Sequence, residues 1–170
     1  IVIGGATTAL EAGGGPPASM SLSSATIQGL GSATLDLTMG ISQTGAQGYV
    51  ACIGYDGSLV EVTDLSVGAA AVSVGAELVS PEIFADGATL GVVLDAEAPF
   101  DGQMIPPGGG HEVGLMTVTA TGIVTTDTDV AFDFVDGVLN NPALSNIVVI
   151  GGLSIGAADG LETNNGTLTL

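Results

Sequence analysis

Three acidic side chains lie in a segment with the composition of a long loop, residues 95–110. They are Asp95, Glu97 and Asp101, and a Pro-Pro-Gly-Gly-Gly run follows them. Carboxylate oxygens are hard ligands that bind Ca²⁺, and a loop of this length is uncommon unless it has a function. The spacing does not match an EF-hand loop. We therefore predict a structural calcium ion at these three residues, with a solvated acidic loop as the alternative.

His111 is the only histidine of the chain, so a Ser/His/Asp hydrolase would need it as the general base. It directly follows the three glycines, and we identify no serine placed as its nucleophile. Two carboxylates between residues 95 and 101 could hydrolyse a glycosidic bond, but we find no aromatic sugar platform beside them. We therefore interpret His111 as an exposed loop residue and predict that the chain is not an enzyme.

Three smaller features have chemistry of their own. Asp127 and Asp129 form a second acidic pair, with the same two interpretations as the first. Cys52 is the only cysteine, which excludes an internal disulfide; we interpret it as a buried thiol, with an intermolecular bridge or a reactive site as the alternative. Asn165-Gly166-Thr167 matches the acceptor pattern for N-glycosylation and predicts a glycan on Asn165.

The charge balance excludes whole classes of partner. The chain has 18 acidic residues and neither Lys nor Arg, which gives a net charge of −18. Without cations to neutralise phosphate, it is predicted to bind neither nucleic acid nor an anionic membrane surface. Screening of these carboxylates favours a saline or calcium-containing exterior, so we predict a secreted protein at the cell surface. We also predict no membrane-spanning helix, because no long uninterrupted apolar run occurs.

The segments that must position these residues are predicted to be β-strands. Leu35, Leu37 and Met39 alternate with polar residues, and Tyr49, Ala51 and Ile53 alternate in the same way, which is the period of a half-buried strand. Further alternating or apolar segments lie at residues 18–28, 59–64, 89–94, 111–121, 129–135, 146–153 and 167–170. Short strands separated by turns predict an all-β fold, a single jelly-roll or immunoglobulin-like β-sandwich of about nine strands.

Finer expectations follow from the same pattern. In residues 111–121 we place Val113, Leu115 and Thr117 on one face. Residues 146–153 are apolar at both phases, which predicts a strand covered on two sides. Pro81 predicts an edge strand or an irregular segment. The Asp56-Gly57-Ser58 sequence predicts a turn between two strands.

Residues 1–17 are predicted to form an N-terminal arm ahead of the sandwich, which spans residues 18–170. The arm begins with the β-branched run Ile1, Val2 and Ile3 and ends in a Gly/Pro-rich hinge. Such a run could add as a strand to the sheet edge of a neighbouring subunit. The alternative is a first strand of the same domain.

Several segments share their order and spacing with one known family. They are Gly31–Met39, Gly48-Tyr49, Tyr55-Asp56-Gly57-Ser58 with Leu59-Val60-Glu61-Val62-Thr63, Val113–Thr121, and Asn165–Leu170. Over residues 18–170 the chain resembles the cohesin-type modules of secreted bacterial surface proteins. The resemblance implies a jelly-roll sandwich and a dockerin-type binding partner, and it provides no counterpart for residues 1–17.

We predict a non-catalytic extracellular module that self-associates into a surface array or filament through its N-terminal arm. A cohesin-like binding module for a dockerin-type partner is the first alternative. A carbohydrate-binding module is the second, but two Tyr, four Phe and no Trp leave few aromatic residues for a sugar platform. Structural calcium is the only cofactor that the residues suggest.

Overall fold

The computed structural model describes residues 16–122 and 126–170. This part of the chain contains thirteen strands, one short helix, α1 (Ala69–Ser73), and a 3₁₀ turn at Ala157–Asp159. The strands are β1 (Ala18–Leu22), β2 (Ala25–Thr26), β3 (Ser32–Ile41), β4 (Ala46–Gly54), β5 (Val60–Val67), β6 (Leu78–Phe84), β7 (Gly87–Val93), β8 (Gly108–Ala120), β9 (Asp129–Phe134), β10 (Ile147–Ile150), β11 (Leu153–Ile155), β12 (Leu161–Asn164) and β13 (Gly166–Thr169). Among the described residues, no helix is both long and apolar enough to cross a membrane.

The strands form two sheets that pack as a jelly-roll sandwich, as predicted from the sequence. The five-stranded sheet has the order β12-β1-β3-β8-β5. The eight-stranded sheet has the order β11-β10-β4-β9-β13-β2, and β7 pairs with the other edge of β4 and carries β6 outside it. Both ends of the described chain close the sandwich, because β1 pairs in parallel with β12 in one sheet and β2 with β13 in the other.

The core lies between the two sheets and is built from the inward phase of each strand. Leu35, Leu37 and Met39 of β3 are buried as the alternation predicted. Tyr49 of β4 crosses the core, and its hydroxyl donates a hydrogen bond of 2.5 Å to the carbonyl oxygen of Val113 on the opposite sheet. Burial raises the pKa of Tyr49, because the phenolate would be desolvated there. This bond fixes the two sheets relative to each other.

The predicted turn at Asp56-Gly57-Ser58 carries the chain from one sheet to the other, since β4 belongs to the eight-stranded sheet and β5 to the five-stranded sheet. Asp56 Oδ1 accepts hydrogen bonds from the backbone N–H of Ser58 (2.9 Å) and from its hydroxyl (2.6 Å). A Cβ at Gly57 would lie 1.7 Å from the carbonyl oxygen of Ala85, so only glycine fits at this position.

The structure has more strands than the nine expected, because some predicted segments contain two strands. The first predicted strand, residues 18–28, divides into β1 and β2, which lie in different sheets, and β12, at residues 161–164, lies outside every predicted segment. The segment predicted at residues 146–153 is the beginning of a hairpin, in which Gly151 and Gly152 turn with φ of 59° and 77° between β10 and β11.

Two predicted burial patterns were wrong. In β8 the buried residues are Val113, Gly114, Met116, Val118 and Ala120, because the register shifts opposite Leu37/Thr38 and this bulge changes the inward phase. The strand predicted to be covered on both sides has only Val148 fully buried, and Leu153 is 68% exposed, since its outer face lies at the molecular surface.

The secondary structure of residues 69–110 also differs in detail from the prediction. α1 and β6 lie in a stretch for which no alternating pattern was identified, and β6 lies outside β7 at the sheet edge, as Pro81 predicted. The predicted loop at 95–110 is shorter, because β8 begins at Gly108 and Ile105 forms a bridge with Ala46.

Candidate functional site

An open groove lies on the outer face of the eight-stranded sheet, across β6, β7, β4 and β10. Its volume is about 440 Å³. We call it the outer groove. Its floor is apolar, and polar side chains stand at its margin; the principal lining residues are Gln47, Val50, Leu78, Ser80, Gly91, Val93, Asp95, Gln103, Ile147 and Val149.

Apolar side chains are exposed in this groove. Leu78 is 52% exposed and Val93 is 39% exposed, while Val50, Ile147 and Val149 are half-buried. Gly91 leaves the centre of the floor open, because a Cβ built there would meet only Ser80, at 3.9 Å and beyond. The outward phase of these strands therefore presents a concave apolar surface.

A loop covers another part of the same sheet face. Residues 135–146, which we call the covering loop, lie over the far end of β4, where Cys52 is completely buried. Leu139 packs onto Gly87, where a Cβ would approach its methyl groups to 2.6 Å. The outer groove and the covering loop therefore occupy neighbouring parts of this sheet face.

Asn146 fastens the covering loop to β4. Its Oδ1 accepts a 2.7 Å hydrogen bond from the backbone N–H of Cys52. Its Nδ2 donates to the Val135 carbonyl oxygen at 3.0 Å and to Asp136 Oδ1 at 2.9 Å. Burial, followed by the nearby Asp136 carboxylate, raises the pKa of the Cys52 thiol to about 11. The thiol is therefore protonated at neutral pH, as expected for a buried cysteine.

Asp95 and Gln103 line one polar corner of the groove, and Glu77 lies next to them; we call these three residues the acidic corner. Glu77 Oε2 accepts hydrogen bonds from the backbone N–H of Ala96 (2.6 Å) and of Glu97 (2.5 Å). The Glu97 N–H, the Ala96 N–H and the side chain of Gln103 lower the pKa of Glu77, because all of them stabilise its ionised form.

Two acceptor atoms of this corner remain unpaired. Asp95 Oδ2 accepts a 2.8 Å hydrogen bond from the Gly102 N–H. Asp95 Oδ1 and Gln103 Oε1 are both buried and have no hydrogen-bond partner among the described residues. Both residues line the outer groove. Buried acceptors are normally paired, so these two oxygens have hydrogen-bonding capacity that no described group satisfies.

The structure does not bring the predicted calcium ligands together. Asp95 lies at the groove, whereas Glu97 and Asp101 are exposed on the loop that follows. Across residues 16–122 and 126–170, no three His, Cys, Asp or Glu side chains form a group that could hold a metal ion. Calcium stays a prediction from the sequence, and titration with CaCl₂ tests it.

The second acidic pair is also exposed. Asp127 and Asp129 lie at the surface, and Asp129 Oδ1 accepts a 2.7 Å hydrogen bond from the Thr169 hydroxyl. Asn165 is exposed, and its Nδ2 donates to Asp133 Oδ1 at 2.6 Å. Glycosylation at Asn165 stays a prediction, and it would require this bond to open.

His111 was expected to be an exposed loop residue, but it is half-buried and lies within β8. Its Nε2 is buried and has no hydrogen-bond partner among the described residues, so no described serine hydroxyl is paired with it. The sequence does contain one Gly-x-Ser-x-Gly spacing, residues 152–156. There Ser154 is an exposed residue inside β11 instead of the strand-to-helix turn that the hydrolase motif requires.

The predicted arm residues Ile1, Val2 and Ile3 lie outside the described residues. The outer groove, by contrast, was missed from the sequence. Its signal was present in the apolar outward phase of β10, and in Val50 on the outward phase of β4. That signal became a site only when β4, β7 and β10 were aligned side by side.

Known structures share this architecture. The third cohesin of ScaC from Acetivibrio cellulolyticus, solved in complex with the ScaB dockerin, has a TM-score of 0.68 at 11% identity, covering 90% of this chain and 98% of that chain. A type III cohesin module from the ScaE cell-surface anchoring scaffoldin of Ruminococcus flavefaciens has a TM-score of 0.67 at 11% identity, covering 90% and 87%. A non-cellulosomal cohesin from the hyperthermophilic archaeon Archaeoglobus fulgidus has a TM-score of 0.59 at 15% identity, covering 89% of each chain.

In the sequence comparisons, no protein-family model and no curated protein matches the chain. The likeness is therefore one of architecture, and it extends over nearly the whole of both chains. It confirms the resemblance predicted from the strand order and the Tyr55-Asp56-Gly57-Ser58 turn. The chain has a cohesin-like fold.

Proposed function

We propose that this chain is a protein-binding module that holds its partner on the outer groove. The observation that carries the proposal is the exposed apolar floor formed by Val50, Leu78, Val93 and their neighbours on the outer face of the eight-stranded sheet. Apolar surface of this kind, bordered by polar groups, is typical of protein interaction sites. An open groove that extends over four strands also suits a folded partner.

A dockerin-type protein is the partner class that we propose. The ScaC cohesin of similar fold was solved in complex with a dockerin, which supports this choice by analogy of architecture. The outer groove supports it independently, because it offers an apolar surface with polar margins on one sheet face. The proposal assigns no catalytic step to the chain.

The test measures binding to a panel of purified dockerin modules, including the ScaB dockerin, by biolayer interferometry. Gly91→Phe fills the groove floor, and the backbone there has no positive φ that would strain it. Gly109→Phe is the matched control, because Gly109 is exposed, has no atoms near its Cβ position and lies outside the groove. We expect Gly91→Phe to weaken binding by about tenfold or more, and Gly109→Phe to leave it unchanged.

Two results would count against this proposal. Failure of every dockerin in the panel to bind would overturn the partner class. Equal binding by the wild type and Gly91→Phe would overturn the groove as the binding surface.

Self-association through the N-terminal arm is the second candidate, and one observation favours it. An apolar pocket of about 220 Å³ lies beside Pro17, where the described chain begins, and it is lined by Ile150, Leu153 and Ile155. β11 forms the outer edge of its sheet in the described structure and could accept a further strand. Ile1, Val2 and Ile3 of a neighbouring subunit would supply that strand and build a surface array or filament, in keeping with an extracellular location.

Deletion of residues 1–10 tests this second candidate. We expect the shortened protein to fold and to remain monomeric in sedimentation velocity, while the full chain forms polymers visible by negative-stain electron microscopy. Polymers that persist after the deletion would exclude the arm as their cause. Leu153→Asp provides a complementary variant, because it places a charge in the receiving pocket and leaves the arm intact.

A further inference from the structure

We infer that the protein partner bound in the outer groove inserts a Lys or Arg side chain into the acidic corner, where Asp95 Oδ1 and Gln103 Oε1 accept its hydrogen bonds. This inference rests on the proposed function and specifies the chemistry of the partner. The observation behind it is a pair of buried acceptor oxygens, without described partners, that belong to residues lining an open apolar groove.

The two oxygens are held in position by hydrogen bonds at their neighbouring atoms. Asp95 Oδ2 is bound to the Gly102 N–H, so the carboxylate is oriented with its second oxygen unpaired. The side chain of Gln103 interacts with the Glu77 carboxylate and lowers its pKa, while Gln103 Oε1 has no hydrogen-bond partner among the described residues. Glu77 itself is fixed by two backbone N–H groups. The corner is thus preorganised to accept hydrogen bonds.

The chain has no side chain of its own that could complete this corner with a salt bridge. It contains neither Lys nor Arg at any position of the sequence, and its only histidine lies in β8. Glu77 and Asp95 add negative charge where hydrogen-bond donors are missing. Charge complementarity therefore favours a cationic donor, because a charge-assisted hydrogen bond is stronger than a neutral one.

The adjoining floor suits the remainder of such a side chain. Lys and Arg carry an aliphatic stem that packs on apolar surface while the charged end reaches a polar group. Leu78 and Val93 provide that surface beside Asp95 and Gln103 in the same groove. The expected partner thus presents apolar residues to the floor and one basic residue to the corner.

Asp95→Asn is the variant that tests the inference. Its amide oxygen keeps the bond to the Gly102 N–H, which turns the NH₂ group toward the position of Oδ1 and replaces an acceptor by a donor. Asp101→Asn is the matched control, because it removes the same charge from an exposed carboxylate of the same loop. We expect the two variants to have the same thermal midpoint, since Gly102 keeps its acceptor.

Both variants are then measured against the dockerin of that panel that binds the wild type most tightly. We expect Asp95→Asn to weaken binding by at least about tenfold and Asp101→Asn to change it by less than about twofold. If both variants bind like the wild type while Gly91→Phe does not, the groove remains the binding surface and the inference about its corner is overturned. If Gly91→Phe also binds normally, the proposed function is what fails.

A titration that needs no protein partner separates a basic side chain from a metal ion. Butylguanidinium, butylurea and CaCl₂ are each added to the ¹⁵N-labelled protein, and the Gly102 amide and the Gln103 side-chain amide are followed by NMR. We expect saturable shifts with butylguanidinium that disappear in Asp95→Asn, and none with neutral butylurea. Shifts with CaCl₂ alone would identify a calcium site and overturn the inference, as would equal responses to the guanidinium and the urea.

Discussion

The most informative single perturbation of this fold is Asn146→Ala. Asn146 is buried, and its side chain makes three hydrogen bonds that fasten the covering loop to β4. Truncation removes all three and leaves the Cys52 N–H buried without its acceptor. We expect a loss of about 2–4 kcal/mol in the free energy of unfolding, because each buried hydrogen bond contributes roughly 1 kcal/mol and an unpaired buried donor costs about 1–3 kcal/mol.

Urea titration followed by circular dichroism measures this loss, and scanning calorimetry checks it. For a domain of this size the expected loss lowers the melting temperature by roughly 5–15 °C. Asn164→Ala is the matched control, because the exposed Asn164 side chain makes one hydrogen bond, to the Ser21 hydroxyl at 3.1 Å. The reasoning is refuted if Asn146→Ala is no more destabilising than Asn164→Ala.

Asn146→Asp tests the direction of each hydrogen bond. The introduced carboxylate can still accept from the Cys52 N–H, but its other oxygen faces two acceptors, the Val135 carbonyl and Asp136 Oδ1. Its pKa in the folded state should rise above the unfolded value, so its stabilising effect is present at low pH and lost as pH rises through the folded pKa. We expect the difference in stability from the wild type to shrink as the pH is lowered from neutrality. A difference that is independent of pH would show that the Nδ2 bonds contribute little.

Four further outcomes are expected. Tyr49→Phe should cost about 0.5–1.5 kcal/mol in urea titrations, because it removes one buried hydrogen bond to the Val113 carbonyl; an unchanged midpoint would show that packing alone joins the sheets. Cys52, whose pKa is raised to about 11, should react with iodoacetamide at neutral pH only after denaturation, as mass spectrometry would reveal; rapid labelling of the native protein would contradict its burial. Ser58→Ala should raise the pKa of Asp56 toward its ordinary value in an NMR titration, because the Ser58 hydroxyl and N–H lower that pKa. In the wild type, the stability that the Asp56 carboxylate contributes is present at neutral pH and is lost as the pH falls through the lowered pKa. Added NaCl should raise the melting temperature at neutral pH, because 18 carboxylates have neither Lys nor Arg to pair with; a flat or falling dependence would show that their repulsion does not limit stability.

Local patterns determined the fold class and much of the strand placement. Leu35, Leu37 and Met39 are buried in β3 as their alternation predicted, since the side chains of a strand point to opposite faces at a fixed period. The Asp56–Ser58 turn formed as expected, because the bonds of Asp56 reach only two residues along the chain. Local features of this kind, such as strand alternation and turn hydrogen bonds, can be predicted from a single sequence.

The sequence did not reveal the phase of β8 or the division of the first predicted strand into β1 and β2. The inward residues of β8 change at a bulge that depends on how the strand pairs with β3. The split of β1 from β2 depends on β12 and β13, more than a hundred residues away. These features are properties of strand pairs, and one strand read by itself does not contain them.

The candidate site depended on tertiary structure altogether. Composition established that any basic partner group must come from outside the chain, because there is neither Lys nor Arg within it. The outer groove required Val50, Val93 and Ile147 to become neighbours, and only the pairing of β4 with β7 and β10 aligns them. Asp95 was singled out from the sequence as a calcium ligand beside Glu97 and Asp101; the folded chain places it instead beside Gln103 at the end of an apolar groove, because neighbours in space are set by sheet order and not by spacing along the chain.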